Sequence, residues 1–176
     1  MNIVLIAVLV IIALPFVLAL FAGNEFTIEK NIIISKPLQQ VFDYIRLLKN
    51  SANYNKWVMQ DPNLKKDFTG TDGTVGFVYY WDSAIKQVGK GEQEITGIKE
   101  AVRVDYEIRF IRPFAGTSYA YLLTEEVAAE QTKVTWVFTG TKNYLMKLLH
   151  IIFKLEKVLG KDLAESLSNL KTVLEK

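Results

Sequence analysis

The only histidine, His150, is the first residue to weigh, because a neutral imidazole serves both metal binding and proton transfer. It sits in an apolar run, in a chain with no cysteine and no second histidine to share a metal, and any Ser-His-acid triad would have to use it. No Gly-x-Ser-x-Gly elbow occurs, and His150 reads as a packing or membrane-surface residue. The stretch GTDGTVG (70–76) lacks the closing Gly-Lys-Ser/Thr of a phosphate cradle and reads as a hairpin turn. Acid–base catalysis without a metal would need a carboxyl or tyrosine of shifted pKa inside an enclosed site. Glu92 and Glu94 alternate with Gln93, which shares parity with Ile95, so the spacing turns Gln93 inward and the glutamates outward. What remains is a set of aromatics: Trp57, Phe77, Tyr79, Trp81, Tyr106, Tyr119, Tyr121, Trp136 and Phe138. Tyr and Trp combine a large apolar body with one polar atom, which suits the wall of a pocket for hydrophobic molecules. The same side chains could instead simply fill a core. On residues 119–123 the parity is open, since Ala120 and Leu122 form an alternative inward set.

The elements that must position these residues follow from hydropathy. The chain of 176 residues has room for one domain and an appendage, and its 50% hydrophobic and 23% charged residues exclude a disordered chain. A net charge of +2, with no basic run interleaved with exposed aromatics, argues against nucleic acid. Residues 3–22 carry no charged or polar side chain, and a helix of that length reaches roughly 30 Å, the thickness of a bilayer's hydrocarbon core. Pro15 is tolerated in a membrane helix. A core helix would not be apolar on every face, and a cleaved signal would have a basic start, a shorter apolar run and a small-x-small site. The segment therefore reads as an N-terminal transmembrane anchor (1–23) ahead of a ligand-binding domain (24–176). Lys30 and Lys36 follow the span while no basic residue precedes it, which places the domain on the cytoplasmic side.

Residues 26–35 are rich in β-branched side chains and read as a first strand, with Ser35 capping and Pro37 opening a short helix whose apolar face holds Val41, Phe42 and Ile45. From residue 77 the period is two. Val102, Val104, Tyr106, Ile108 and Phe110 oppose Arg103, Asp105, Glu107 and Arg109, the pattern of a strand with one buried and one wet face. Similar runs at 77–81, 91–96, 119–123 and 134–138, joined by short turns, predict an antiparallel meander. Leu159, Leu163, Leu167, Leu170 and Leu174 then give the stripe of a long helix packed on the sheet. Ahead of it, residues 144–155 are apolar and flanked by lysines, either a helix at a cavity mouth or one that lies on an anionic bilayer and gates the cavity.

Several stretches together carry a family resemblance: ISKPLQQVFDYI (34–45), NYNKWVMQDPN (53–63), GTVGFVYYWDS (73–83), VGKGEQEITGI (88–98), YEIRFIRPFAGT (106–117), TKVTWVFTG (132–140) and the terminal LGKDLAESLSNLKTVLE. None is specific alone, but their order resembles the START-like (SRPBCC) superfamily, in its polyketide cyclase/dehydrase and lipid-transport branch. The resemblance implies an α+β helix-grip fold, a seven-stranded curved antiparallel sheet around a long C-terminal helix, with a cavity for lipids, sterols, quinones or polyketide-like molecules. It implies no universal catalytic residue and no cofactor. The expected cavity wall is Trp57, Phe77, Tyr79, Trp81, Gln93, Ile95, Tyr106, Ile108, Tyr119, Tyr121, Trp136, Phe138, Leu163 and Leu167. The leading expectation is a monomeric membrane-anchored binder or carrier of a hydrophobic small molecule. A cyclase/dehydratase-type enzyme using cavity Tyr and Gln groups, and a protein-interaction module without ligand, are the alternatives. An open cavity of several hundred Å³ separates the first two from the third.

Overall fold

A computed structural model describes residues 2–176. Helix α1 (Ile3–Phe21) is long and apolar enough to cross a membrane. Nearly all its side chains stand exposed, and Ala19 alone is buried. Seven strands follow: β1 (Glu25–Ile34), β2 (Lys65–Thr69), β3 (Val78–Asp82), β4 (Lys90–Lys99), β5 (Arg103–Arg112), β6 (Gly116–Ala128) and β7 (Gln131–Thr141). They form one antiparallel sheet in the order β1-β7-β6-β5-β4-β3-β2, so the chain closes β1 onto β7 and otherwise runs as a meander. Between β1 and β2 lie α2 (Leu38–Arg46), a 3₁₀ turn (Leu48–Asn53) and the single-turn α3 (Lys56–Met59). The chain ends in α4 (Tyr144–Phe153) and α5 (Leu155–Leu174).

One expected detail is corrected at α2. Pro37 occupies the cap position itself, and Ser35 does not cap the helix; its backbone N–H donates instead to the Glu175 carboxylate at the end of α5. The apolar face of α2 is as the spacing requires: Val41, Phe42 and Ile45 are fully buried under the sheet.

The strict alternation on β5 is realised. Val104, Tyr106 and Ile108 point into the core, where the Tyr106 hydroxyl donates to the Ile45 carbonyl at 3.3 Å. On the outer face Arg109 gathers three carboxylates, Glu92, Glu94 and Glu107, from its own strand and its neighbour. These pairs raise the Arg109 pKa and hold a fixed charge outside the core.

Helices α5 and α2 cover different parts of the inner face. Helix α5 buries Leu163, Leu167, Leu170 and Leu174, and runs along β1, where Lys171 Nζ donates to the Ile33 carbonyl at 2.7 Å. Helix α2 fills the end of the sheet away from α1. Between α4 and α5 the chain turns at Lys154, held in the left-handed region at φ 50°. Helix α4 thereby leaves the sheet and packs beside α1, where the Tyr144 hydroxyl donates to the Phe16 carbonyl at 3.2 Å.

Tyr106→Ala is expected to destabilise by roughly 3 kcal/mol or more, as aromatic truncations in cores do. Glu107→Ala, which removes one of three carboxylates around Arg109 on a wet face, is expected to cost less than about 0.5 kcal/mol. Denaturant unfolding of the two variants measures the difference, and equal costs would contradict the assigned faces.

Candidate functional site

The sheet has two ends, and the chain distinguishes them. Helix α1 leads into Glu25, whose strand partner is Thr141, and the register then sets Gly140 beside Ser118, Phe110 beside Gly116, and Trp81 beside Gly91. All these positions lie at the α1 end. At the far end, α2 closes the space beneath the sheet. At the α1 end neither α2 nor α5 covers β3, β4 and β5, and a cavity of about 180 Å³ remains there.

Its wall is built from several elements. Strands β3 and β4 supply Tyr79, Trp81 and Gln93, β5 supplies Ile108 and Phe110, and β7 supplies Trp136 and Phe138. Helix α5 adds Leu159 and Leu163. Helix α3 adds Trp57 and Val58, its first turn fixed by the Asn55 side chain, which accepts the Trp57 N–H at 3.0 Å. Leu64, Gln87 and Val88 come from loops. Trp57, Phe110, Phe138 and Leu159 are half-buried and Gln87 is exposed, which marks where the cavity opens.

Eight of the expected residues therefore meet in one wall: Trp57, Tyr79, Trp81, Gln93, Ile108, Trp136, Phe138 and Leu163. Four others point inward without reaching the cavity. Phe77, Ile95, Tyr106 and Leu167 are buried in closed core. Tyr119 and Tyr121 are corrected outright. Directly opposed residues of an antiparallel pair share a face, and Tyr106 opposes Ala120 while Val104 opposes Leu122. Ala120 and Leu122 are thus the inward set, Tyr119 is 54% exposed, and the Arg103 guanidinium lies 3.7 Å over the Tyr121 ring on the outer face. The cavity is also smaller than the several hundred Å³ expected, and no α4 residue lines it. His150 packs its ring 5.0 Å from that of Phe26, with Nδ1 3.3 Å from Glu156; burial lowers its pKa.

Among the described residues, the cavity wall carries no carboxylate, Lys, Arg or His. Its polar atoms belong to Asn55, Gln87, Gln93, Tyr79 and the tryptophans. The Trp81 indole N–H is satisfied by the Val88 carbonyl at 3.1 Å. The Tyr79 hydroxyl and the Trp136 indole N–H, on side chains only 4% and 7% exposed, have no partner. Burial pushes the Tyr79 pKa up to about 12, so its phenol stays protonated at neutral pH. Leu64, Val58 and Val88 are wall residues that alternation did not flag, since they lie on loops or a single turn, where no period exists; Phe110 stood on the inward parity of β5 but outside the expected wall.

No protein-family model matches the chain, and no curated protein matches it in sequence. Solved structures do match. A protein of Chromobacterium violaceum superposes with a TM-score of 0.60 at 15% identity, over 88% of this chain and 99% of that one. The Zhui aromatase/cyclase from Streptomyces sp. R1128 gives 0.58 at 13% identity, over 86% and 94%. Ara h 8.0201 gives 0.55 at 18% identity, over 85% and 97%. The fold is START-like. Within this fold, α4 packs beside α1 and α5 forms the gripped helix.

Gly91 holds one wall of the cavity in shape. A Cβ at this position would lie 2.7 Å from Trp81 Cζ2 and 2.6 Å from the Arg109 carbonyl oxygen. Gly91→Ala is therefore expected to push the Trp81 indole from its place and to destabilise by about 1–3 kcal/mol, as overpacking does. Tryptophan emission and denaturant unfolding measure both effects; an unchanged spectrum at unchanged stability would contradict the close approach.

Proposed function

We infer that the protein is a membrane-anchored binder or carrier of a hydrophobic small molecule. The observation that carries this reading is the position of the cavity: an apolar hollow that opens at the end of the sheet from which the long apolar helix α1 departs. A molecule leaving the bilayer would meet this end first.

Helix α4 supports the same orientation. Its Tyr144 bonds to Phe16, five residues short of the end of α1, or about 7–8 Å along that helix. If α1 spans the bilayer, α4 lies at the depth of the interface. Its exposed Tyr144, Leu145, Ile152 and Phe153 would then face lipid, with Lys147, Lys154 and Lys157 at the headgroups. Ten residues are too few to cross a membrane, so α4 would lie along it. An α1 segment at this position also suits a signal sequence, which the experiment below separates.

The cyclase-type alternative has in its favour Tyr79, a phenol-bearing wall residue, and a fold neighbour that is an aromatase/cyclase. A phenol whose pKa is pushed up to about 12 holds its proton at neutral pH and serves as a hydrogen-bond donor rather than a general base. With no carboxylate or imidazole in the wall, binding is the better-supported role.

Full-length protein should stay with membranes through alkaline carbonate extraction, while a chain starting at residue 24 should fold and be released. Native mass spectrometry of full-length protein should find a saturable hydrophobic ligand, and Leu159→Trp, which fills the opening, should abolish uptake. Processing of the natural chain near Ala22 would contradict the anchor. Absence of any apolar ligand in folded wild type would contradict the carrier.

A further inference from the structure

Resting on the reading of α1 as a membrane span, we propose that the hairpin between β5 and β6 is a second membrane contact, in which Ile111 and Phe114 enter the interface of the leaflet from which α1 emerges. Both side chains are exposed, at 47% and 50%, where β5 ends and where the turn Pro113, Phe114 and Ala115 leads into β6. Large apolar side chains exposed singly need no explanation, but grouped ones mark a contact. Here they share the α1 end of the sheet with the exposed Tyr144, Leu145, Ile152 and Phe153 of α4.

The strand ladder fixes how far the hairpin reaches. The Lys142 N–H donates to the Asn24 carbonyl at 2.6 Å, so these two residues stand level where β7 ends and β1 begins. Ser118 pairs with Gly140, and two residues further along each strand Gly116 comes level with Lys142. Phe114 lies two residues beyond Gly116, about 7 Å further out at the rise of a strand. On the other side only Ala22, Gly23 and Asn24 join α1 to β1, a tether of at most about 10 Å. The hairpin thus reaches back over most of the distance that the tether leaves open. A gap this narrow admits no folded partner, since even a 100-residue domain is more than about 25 Å across. Strands β6 and β5 lie two and three places from β1, roughly 10–14 Å to the side, so the contact is separate from that of α1.

The hairpin is also braced. A Cβ on Gly89, in the loop between β3 and β4, would collide with the Arg112 carbonyl oxygen and lie 3.1 Å from Pro113 Cδ, so the two loops touch closely. Arg112 pairs with Asp82 of β3, whose carboxylate also holds Lys90 at 3.2 Å. A loop held in this way presents Ile111 and Phe114 with little ordering left to lose on docking.

The chain has no cysteine, so a single introduced thiol carries a probe at one place only. Full-length Phe114→Cys, Ile111→Cys, Leu18→Cys and Val127→Cys proteins are labelled with bimane and placed in phosphatidylcholine vesicles brominated on the upper acyl chain. Leu18 reports α1, and Val127 is an exposed residue at the other end of β6. Relative to unbrominated vesicles, emission should fall at positions 114, 111 and 18 and stay unchanged at 127. Adding Phe114→Asp to the Ile111→Cys protein should restore emission at 111 without lowering the Tm, because the exposed Phe114 lies outside the core. Quenching at 18 with emission at 114 and 111 as high as at 127 would overturn the hairpin contact and leave the anchor intact. A probe at 114 shielded from aqueous iodide yet unquenched by lipid would overturn it in favour of a second copy of the chain. Absence of quenching at 18 would remove the membrane span, and the proposal with it.

Discussion

A single helix about 10–12 Å wide lies across a sheet whose seven strands, spaced about 4.8 Å apart, extend for roughly 30 Å. It cannot cover that face. Helix α5 follows β1, with Leu163, Leu167, Leu170 and Leu174 buried beneath it, and the β3–β5 half needs other cover. Helix α2 lies on β6 and β7 at the end remote from α1, where Val41, Phe42 and Ile45 are fully buried and Tyr106 of β5 bonds to the Ile45 carbonyl. At the other end Leu159 and Leu163 of α5, the single turn of α3 and two loops form an incomplete roof, and the hollow survives. The cavity is thus a consequence of unequal cover, and its place at the α1 end follows from which end α2 fills.

The same arrangement separates charge from the cavity. The alternation on β4 and β5 sends Glu92, Glu94, Glu107 and Arg109 to the outer face, where they pair with one another. The inner face keeps tyrosine, tryptophan and one glutamine. Among the described residues, the cavity wall carries no charged side chain. The packing of α4 on α1 is organised by one backbone position. Lys154, in the left-handed region, breaks what would otherwise be a continuous helix from residue 144 to 174 and lets α4 dock on α1 while α5 stays on the sheet.

The fold was legible because β5 has one apolar and one charged parity, which leaves a single choice of faces, and because the leucine stripe of α5 has a clear helical period. Gln93 was placed inward by the same logic. On β6 the logic had nothing to act on: Tyr119, Tyr121 and Leu123 on one parity and Ala120 and Leu122 on the other are all non-charged. The choice is made by the pairing of Tyr106 with Ala120 and of Val104 with Leu122 across two strands, which no single-strand period contains. Nor can alternation separate cavity from core. Tyr79 and Tyr106 are equally inward, and only the cover provided by α2 makes one a wall residue and the other filling. The break at Lys154 carries no Gly or Pro to announce it.

The central claim is that the hollow at the α1 end of the sheet is a ligand site. Methyl-resolved NMR of full-length protein in nanodiscs, titrated with acetophenone, tests it most directly. Saturable shifts of the Val58, Leu64, Val88, Ile108, Leu159 and Leu163 methyls are expected, with Ile33 and Val127 on the exposed surface unmoved. Shifts that never saturate, or that fall on surface methyls while those six stay still, would contradict the account.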